Sequence, residues 1–216
     1  MTIHTTALAR PAAAAGLRLP THWLQLAWIL ASVVGGLLFE AVSSLNLAWA
    51  AVLLGVLLGL PQWPLLRLYL PRASRWIIAS GLAMVLAWFA GFVASVVCFV
   101  LAAAAGALLP APLRSALAPL APLLLLGPAA AAGAAYGLVQ EAFVLGDAAP
   151  GSWRRASALA APAFWLVLIG LHLPFGGLQS VDPLVHLGSG AAGGLAYGLI
   201  TGRALSRLLG DAPATL

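Results

Sequence analysis

The stretch "GAAYGLVQEAF", residues Gly133–Phe143, has two partial copies elsewhere in the chain. One is "GGLAYGLITGRAL" from Gly193, and a looser one is "GVLLGLPQWPL" from Gly55. All three read Gly-x-x-x-Gly-Leu-x followed by Gln or Thr. Small residues four positions apart let helix backbones approach closely, which drives helix association in lipid. The copies therefore predict tight helix packing at three glycine pairs: Gly55 with Gly59, Gly133 with Gly137, and Gly194 with Gly198.

The composition of the chain is that of a membrane protein. Of its 216 residues, 63% are hydrophobic and 7% are charged, and the mean hydropathy is +1.06. A soluble domain carries about 25% charged residues. All ten basic residues are arginines scattered between apolar segments, so the net charge of +5 does not indicate nucleic-acid binding. The single cysteine, Cys98, excludes an internal disulfide and a cysteine-rich metal site.

Six segments are apolar enough, and near enough to 20 residues in length, to be predicted as membrane spans. They are Trp23–Phe39, Leu47–Leu66, Trp76–Leu101, Ala121–Val144, Ala156–Leu173 and Pro183–Leu205. Nine arginines flank them on one side, whereas only Arg114 falls on the other. Because cytoplasmic loops carry the excess of basic residues, both termini are predicted in the cytoplasm. The lipid partner is then the bacterial inner membrane, which the chain crosses several times.

A second motif marks the start of each odd-numbered span. Trp28, Trp76 and Trp153 are each followed by x-x-Ala-Ser. We interpret the chain as three parallel helical-hairpin repeats, about 23–70, 71–147 and 148–208, in one all-α transmembrane domain covering 23–208. Residues 1–22 are expected to form a disordered cytoplasmic tail without the layout of a signal peptide, and 209–216 a short tail. The motif tryptophans suit the interfacial aromatic belt.

Two proline-rich regions modify this layout. Pro61 and Pro64 lie near the inner end of the second span and predict a kink or an early end there. The stretch "LPAPLRSALAP", from Leu109 to Pro119, is the longest predicted loop on the outer side.

One polar residue follows each glycine pair, on the same helix face: Gln62, Gln140 and Thr201. If the hairpins surround a common axis, these residues form a polar level near the cytoplasmic side. Ordinary interhelical hydrogen bonds are one interpretation, worth about 0.6 kcal/mol each on average. A pore or ligand-binding level is the other.

Polar residues also gather on the outer side. Glu40 closes the first span, His172 ends the fifth, and Asp182 and His186 begin the sixth. Asp182 before Pro183 is typical of a helix N-cap, yet its spacing from His186 also allows an Asp–His hydrogen bond that would fix the imidazole tautomer. Glu40, Asp182 and His186 are therefore binding candidates. An Asp–His pair offers too few ligands for a metal, so no metal and no cofactor are predicted.

Two resemblances follow from these motifs. The Gly-x-x-x-Gly-Leu-x-Gln-Trp ending at Gly55–Trp63 resembles uncharacterised bacterial polytopic membrane proteins built from such hairpins, which implies a fold and no activity. The sixth span, with His186, Gly188 and Gly190, looks like the last core helix of rhomboid intramembrane proteases, and the fourth span is similar to their nucleophile helix. Ala132 stands at the position matching the serine nucleophile, so that resemblance implies a non-catalytic relative.

The predicted function is that of a non-enzymatic subunit or helix-packing partner in a membrane complex, associating with other membrane subunits or with itself. The alternatives are a small transporter or channel using the Gln62, Gln140 and Thr201 level, or a non-catalytic rhomboid-like protein. An enzyme would need a nucleophile or a metal set that the sequence does not display.

Overall fold

The structure is a computed structural model that describes residues 19–43, 50–70, 72–146, 151–175 and 182–210. These residues form helices and turns, with no strand among them, so the predicted all-α class is confirmed for the described chain. The first helix begins at Thr21 and so includes the last two residues of the predicted N-terminal tail. The last helix ends at Gly210 and so includes the first two residues of the predicted C-terminal tail. Of the two predicted tails, residues 1–18 and 211–216 lie outside the described residues.

Eight α-helices follow one another along the described chain. They are α1 (Thr21–Ser43), α2 (Ala50–Gly59), α3 (Trp63–Leu66), α4 (Arg75–Leu108), α5 (Ala111–Leu117), α6 (Leu126–Gln140), α7 (Ser152–His172) and α8 (Pro183–Gly210). A 3₁₀ segment, Ala118–Leu125, joins α5 to α6, and a π-helical turn, Glu141–Leu145, extends α6. A short 3₁₀ turn, Leu173–Phe175, follows α7.

Four helical stretches among the described residues are long and apolar enough to cross a membrane: Thr21–Val42, Arg75–Leu108, Ala111–Leu145 and Ser152–Phe175. The longest of the eight helices, α4, has 34 residues. At 1.5 Å per residue it measures about 51 Å, well beyond a hydrocarbon core of about 30 Å. The described chain therefore has the helices of a membrane-spanning protein.

The prolines act differently in the two regions where they cluster. The helix α2 ends at Gly59, just before Pro61, as the predicted early end requires. The predicted loop at Leu109–Pro119 is wrong, because α5 occupies most of it. Pro110 is the N-cap of α5 and Pro112 lies in its first turn. Proline costs little at these positions, where the backbone N–H has no helical partner to lose.

The helices form a closed ring in chain order. Each long element packs against its neighbours: α1 on α2, α2 on α4, α4 on α6, α6 on α7 and α7 on α8. The ring closes through α8, which packs along α1. Bulky apolar side chains face outward, including Trp88, Phe92 and Phe99 of α4, while small residues line the helix contacts. A soluble bundle has the opposite arrangement.

Candidate functional site

Three tryptophans meet at one end of the ring, and we call them the tryptophan triad: Trp28 of α1, Trp76 of α4 and Trp153 of α7. Each side chain is 0% exposed. The ring centroids lie 5.7–5.8 Å apart in all three pairs, with the planes tilted by 67–80°. Edge-to-face contacts at this distance are the favoured geometry of aromatic pairs. The predicted place of these residues in the interfacial belt is wrong, because their side chains are buried against one another inside the bundle.

Each indole N–H of the triad donates to one residue of the polar level. Trp76 Nε1 donates to Gln62 Oε1 and Trp153 Nε1 to Gln140 Oε1, both at 3.0 Å. Trp28 Nε1 donates to Thr201 Oγ1 at 2.9 Å, which joins the first helix to the last. All three acceptors are buried. A buried tryptophan needs such a partner for its N–H, and here the three polar residues supply it.

The glutamines also bind the serines of the Trp-x-x-Ala-Ser motif. Gln140 Nε2 donates to Ser80 Oγ at 2.9 Å, and Gln62 Nε2 donates to Ser32 Oγ at 3.4 Å. The third position differs, because threonine has no amide and the Thr201 hydroxyl donates to the carbonyl of Tyr197. Ser157, the corresponding serine, therefore has no glutamine amide opposite it.

The same serines lie opposite the first glycine of each pair. A Cβ placed on any of these three glycines would overlap the backbone carbonyl oxygen of the facing serine. The facing residues are Ser80 for Gly55, Ser157 for Gly133 and Ser32 for Gly194. The absence of a side chain at these positions therefore lets the two backbones touch.

The second glycine of each pair faces the same serine one turn further along the helix. A Cβ at any of these positions would lie 2.8–2.9 Å from side-chain atoms of that serine, which is closer than real Cβ contacts allow. The three positions are Gly59 on Ser80, Gly137 on Ser157 and Gly198 on Ser32. For Gly198, the backbone of Ile29 is equally near, with its Cα at 2.9 Å. Close contact at all six predicted glycines is therefore found in the structure, although it joins each pair to a serine-bearing helix rather than to another glycine pair.

The polar level is closed rather than open. Gln62, Gln140 and Thr201 each hold a triad indole, and the three indoles contact one another in the space between them. Among the described residues, side chains therefore fill the axis at this height. The sequence identified the three acceptors but not their donors. The sequence has one motif tryptophan for each of these polar residues, and this equal number is the signal from which the pairing could have been predicted.

The end next to the triad is basic. Arg67 lies 4.9 Å from the ring centroid of Trp63. Glu141, from the opening stretch, lies here too: its carboxylate accepts the N–H of Gly151 and, at 3.1 Å, that of Arg154. An acidic group at the start of α7 complements the helix dipole. An open groove of about 770 Å³ between α7 and α8 is lined by three further arginines: Arg155, Arg203 and Arg207.

At the opposite end, Glu40, His172 and His186 come together, and we call them the Glu-His-His cluster. Glu40 lies in the last turn of α1, His172 ends α7 and His186 lies in the first turn of α8. His186 Nδ1 is 3.0 Å from Glu40 Oε2, and the two imidazole centroids are 4.7 Å apart. One potential ligand atom from each residue lies within 4.8 Å of the other two.

Two glycines outside the predicted pairs make this meeting possible. A Cβ on Gly190 would lie 2.5 Å from the carbonyl oxygen of Gly36 and 2.6 Å from Glu40 Cγ. A Cβ on Gly36 would overlap the carbonyl oxygen of Gly190. The backbones of α1 and α8 therefore touch here, which brings Glu40 within reach of His186.

The hydrogen bonds fix the tautomer of His172. Ser189 Oγ donates to the carbonyl of His186 at 2.8 Å, so its single proton is committed. It lies 3.0 Å from His172 Nε2 and, with its proton on that carbonyl, accepts from this nitrogen. His172 is therefore protonated on Nε2, and Nδ1 carries a lone pair. This Nδ1 is buried and has no hydrogen-bond partner within the described chain.

The predicted outer residues thus divide into two groups. Asp182 Oδ1 accepts the N–H of Leu184 at 2.9 Å, which is an N-cap bond with Pro183 at the first helical position. Glu40 and His186 belong to the cluster, together with His172, which ends α7. The prediction of only two potential metal ligands at this end, Asp182 and His186, is wrong. Three residues come together there, namely Glu40, His172 and His186.

Comparison with known proteins adds no relative. No family model matches the chain, and neither a curated protein nor a solved structure is significantly similar to it.

Proposed function

We propose that the chain is a non-enzymatic integral membrane protein, a rigid six-span subunit that packs against other helices in a membrane complex. The observation that carries this proposal is its inverted packing. Bulky apolar side chains face outward and glycine–serine contacts fill the interior, as expected for a bundle whose surroundings are lipid and other helices.

The six-span count rests on the ring. Besides the four long apolar stretches, α2 lies between α1 and α4, and α8 lies between α7 and α1. The 28 residues of α8 measure about 42 Å, enough to cross a bilayer. The 10 residues of α2 measure about 15 Å, so the second span of the proposal also needs the turn and α3 that follow, as far as Leu66.

The proposed orientation places the tryptophan triad on the cytoplasmic side, with both termini. The excess of basic residues at the triad end is what the positive-inside rule expects of a cytoplasmic face in the bacterial inner membrane. The Glu-His-His cluster lies at the other end. The arginines close to the triad in sequence or space are Arg67, Arg75, Arg154, Arg155 and Arg207.

The three parallel hairpin repeats are also part of the proposal. Their support is that one set of contacts occurs at three places around the ring: a glycine pair on a serine, and an indole on a polar residue. In each set, the glycine pair and the tryptophan belong to helices that are neighbours in the ring. Parallel repeats related by an axis along the membrane normal produce this arrangement.

The proposed docking face is on α4. Trp88, Phe92 and Phe99 lie on one side of this helix, since steps of four and seven residues return to nearly the same angle. They are 70%, 61% and 76% exposed. Such an aromatic stripe in the plane of the membrane suits a partner helix, which would pack into it through close side-chain contacts.

The proposal is tested by photo-crosslinking from this face in native membranes. A photoreactive phenylalanine analogue at position 92 is expected to give one discrete protein adduct, whose mass distinguishes a second copy from another subunit. The same analogue at Leu159, equally exposed on α7, serves as the control. Lipid adducts alone at both positions would refute the docking face.

The channel alternative receives no support from the polar level, because the triad indoles occupy it. Flux through the purified protein in liposomes is the direct test. A Trp153→Ala variant that opened a path where the natural chain had none would identify the triad as the barrier.

A further inference from the structure

We propose that Glu40, His172 and His186 bind a divalent transition-metal ion of the zinc class at the outer end of the bundle. Two histidine nitrogens and one carboxylate oxygen form the ligand set of many three-ligand zinc sites, with water in the fourth position. Magnesium and calcium prefer sets made of oxygen alone, and cuprous copper prefers sulfur. The proposal is independent of the docking face on α4.

The geometry is close to that of a bound site. In a tetrahedral zinc site with bonds of about 2.1 Å, neighbouring ligand atoms lie about 3.4 Å apart. Glu40 Oε2 accepts a hydrogen bond from His186 Nδ1 at 3.0 Å, and every ligand pair lies within 4.8 Å. Binding of the ion would release the proton of this hydrogen bond to solvent and leave both atoms as ligands. The separations of up to 4.8 Å exceed the roughly 3.4 Å of a bound site, so the side chains would move closer together to hold the ion.

The second observation is the state of His172. Its side chain is 1% exposed, and its Nδ1 lone pair has no donor within the described chain. A buried polar atom without a partner calls for an ion, a water or a ligand. Five such atoms occur in the described chain, and among them only His172 Nδ1 belongs to a residue that adjoins other potential metal ligands. A metal ion can bind His172 Nδ1 through this lone pair. A second hydrogen-bond acceptor cannot, because it has no proton to donate.

The support around His172 is also that of a metal ligand. Metal-binding histidines usually donate their second ring N–H to an oxygen, which fixes the ring and its tautomer. His172 Nε2 makes such a bond to Ser189 Oγ, and Ser189 is held in turn by the carbonyl of His186. Ser189 is therefore a positioning residue for the proposed site.

The site would link the first helix of the ring, α1, to the last two, α7 and α8. Its ligands come from α1, α7 and α8, so a bound ion would fasten the closing contact between the first and last helices. Because the ion binds only the folded arrangement, it should raise stability with metal concentration.

The test uses the full chain in detergent, stripped with a chelator and dialysed. Isothermal titration with Zn²⁺ is expected to show one site per chain, and the midpoint of thermal unfolding is expected to rise as Zn²⁺ is added. Co²⁺ should give the visible absorption of a tetrahedral site. Glu40→Gln, His172→Gln and His186→Gln should each weaken binding at least tenfold, and Ser189→Ala by about 10- to 100-fold.

Two controls keep the result decisive. His22→Gln changes an exposed histidine near the start of α1, and Asp182→Asn changes the cap beside the cluster. Both should leave the affinity for Zn²⁺ unchanged. If a ligand variant does not fold, Ser189→Ala carries the test, since it removes no ligand. Absence of a stoichiometric site in the natural chain, or binding that survives Ser189→Ala but is lost in His22→Gln, would overturn the proposal.

Discussion

The two ends of the bundle treat buried polar groups in different ways. At the tryptophan triad, each indole N–H has an acceptor from the polar level. At the Glu-His-His cluster, a buried histidine nitrogen keeps a lone pair without a partner among the described residues. The chain itself satisfies the three indoles, which is typical of a structural core, although Trp63 Nε1 and Ser152 Oγ at this end have no partner among the described residues. At the second end, the atom without a partner adjoins two other potential metal ligands, which is typical of a binding site.

The largest expected effect tests the triad as a structural core. Trp153→Ala should lower the free energy of unfolding by about 3–5 kcal/mol, because it empties a fully buried site and removes the donor to Gln140. Reversible unfolding in mixed detergent measures this loss. Trp88→Ala is the matched control, since that side chain is 70% exposed, and should change little. Similar losses in both variants would mean that the triad is not the core.

A smaller effect is expected where the helices touch. Gly137→Leu should cost about 1–3 kcal/mol, because even a Cβ there would lie 2.8 Å from Ser157 Cβ and 2.9 Å from Arg154 Cα. The folded yield after detergent extraction and the unfolding midpoint report the loss. Gly106→Leu is the control, since no atom of the described chain lies within 4 Å of a Cβ at that position. Equal tolerance at both positions would argue against close packing at the glycine pairs.

The motif serines at the triad end differ in their hydrogen bonds, and substitutions test this difference. Ser80→Ala removes the acceptor of Gln140 Nε2 and should cost about 0.6 kcal/mol, the average for such bonds in membranes. Ser157→Ala should cost less, since Thr201, at the position of the glutamines, has no amide to donate to its Oγ. Unfolding of the two variants side by side measures the difference. A greater loss at Ser157 would contradict the assigned hydrogen bonds.

The smallest effect concerns Asp182, beside the Glu-His-His cluster. Asp182→Asn should be nearly neutral, because asparagine caps a helix about as well as aspartate. Thermal unfolding of the two proteins at one pH is a sufficient measurement. A clear loss of stability would show that the charge of Asp182 serves the cluster and not only the cap of α8.

Much of the fold could be predicted from the sequence because lipid imposes a simple rule. Long apolar stretches predicted α1, α4 and α7 within a few residues at most ends, apart from the seven-residue extension of α4 to Leu108. The prediction is wrong at α5, because Pro110 and Pro112 do not mark a loop but stand at the N-cap and in the first turn of a helix. Proline lowers helix stability in the interior but not at the start, and composition alone does not distinguish the two.

For the candidate sites, the sequence indicates individual residues but not the contacts between distant parts of the chain. The spacing of the glycine motif located Gln62, Gln140 and Thr201, but not the indoles that bind them. Glu40 and His186 lie 146 positions apart, and their meeting depends on the ring closure between α1 and α8. No local spacing encodes such a contact.

The central claim is that the chain spans the membrane with the triad end in the cytoplasm. Single cysteines at Ser74 and Arg114, in a Cys98→Ala background, test it most directly, since both positions are exposed. A membrane-impermeant maleimide applied to intact cells should label Arg114→Cys, whereas Ser74→Cys should react only after the membrane is permeabilised. Labelling of both positions from the same side would contradict the proposed topology.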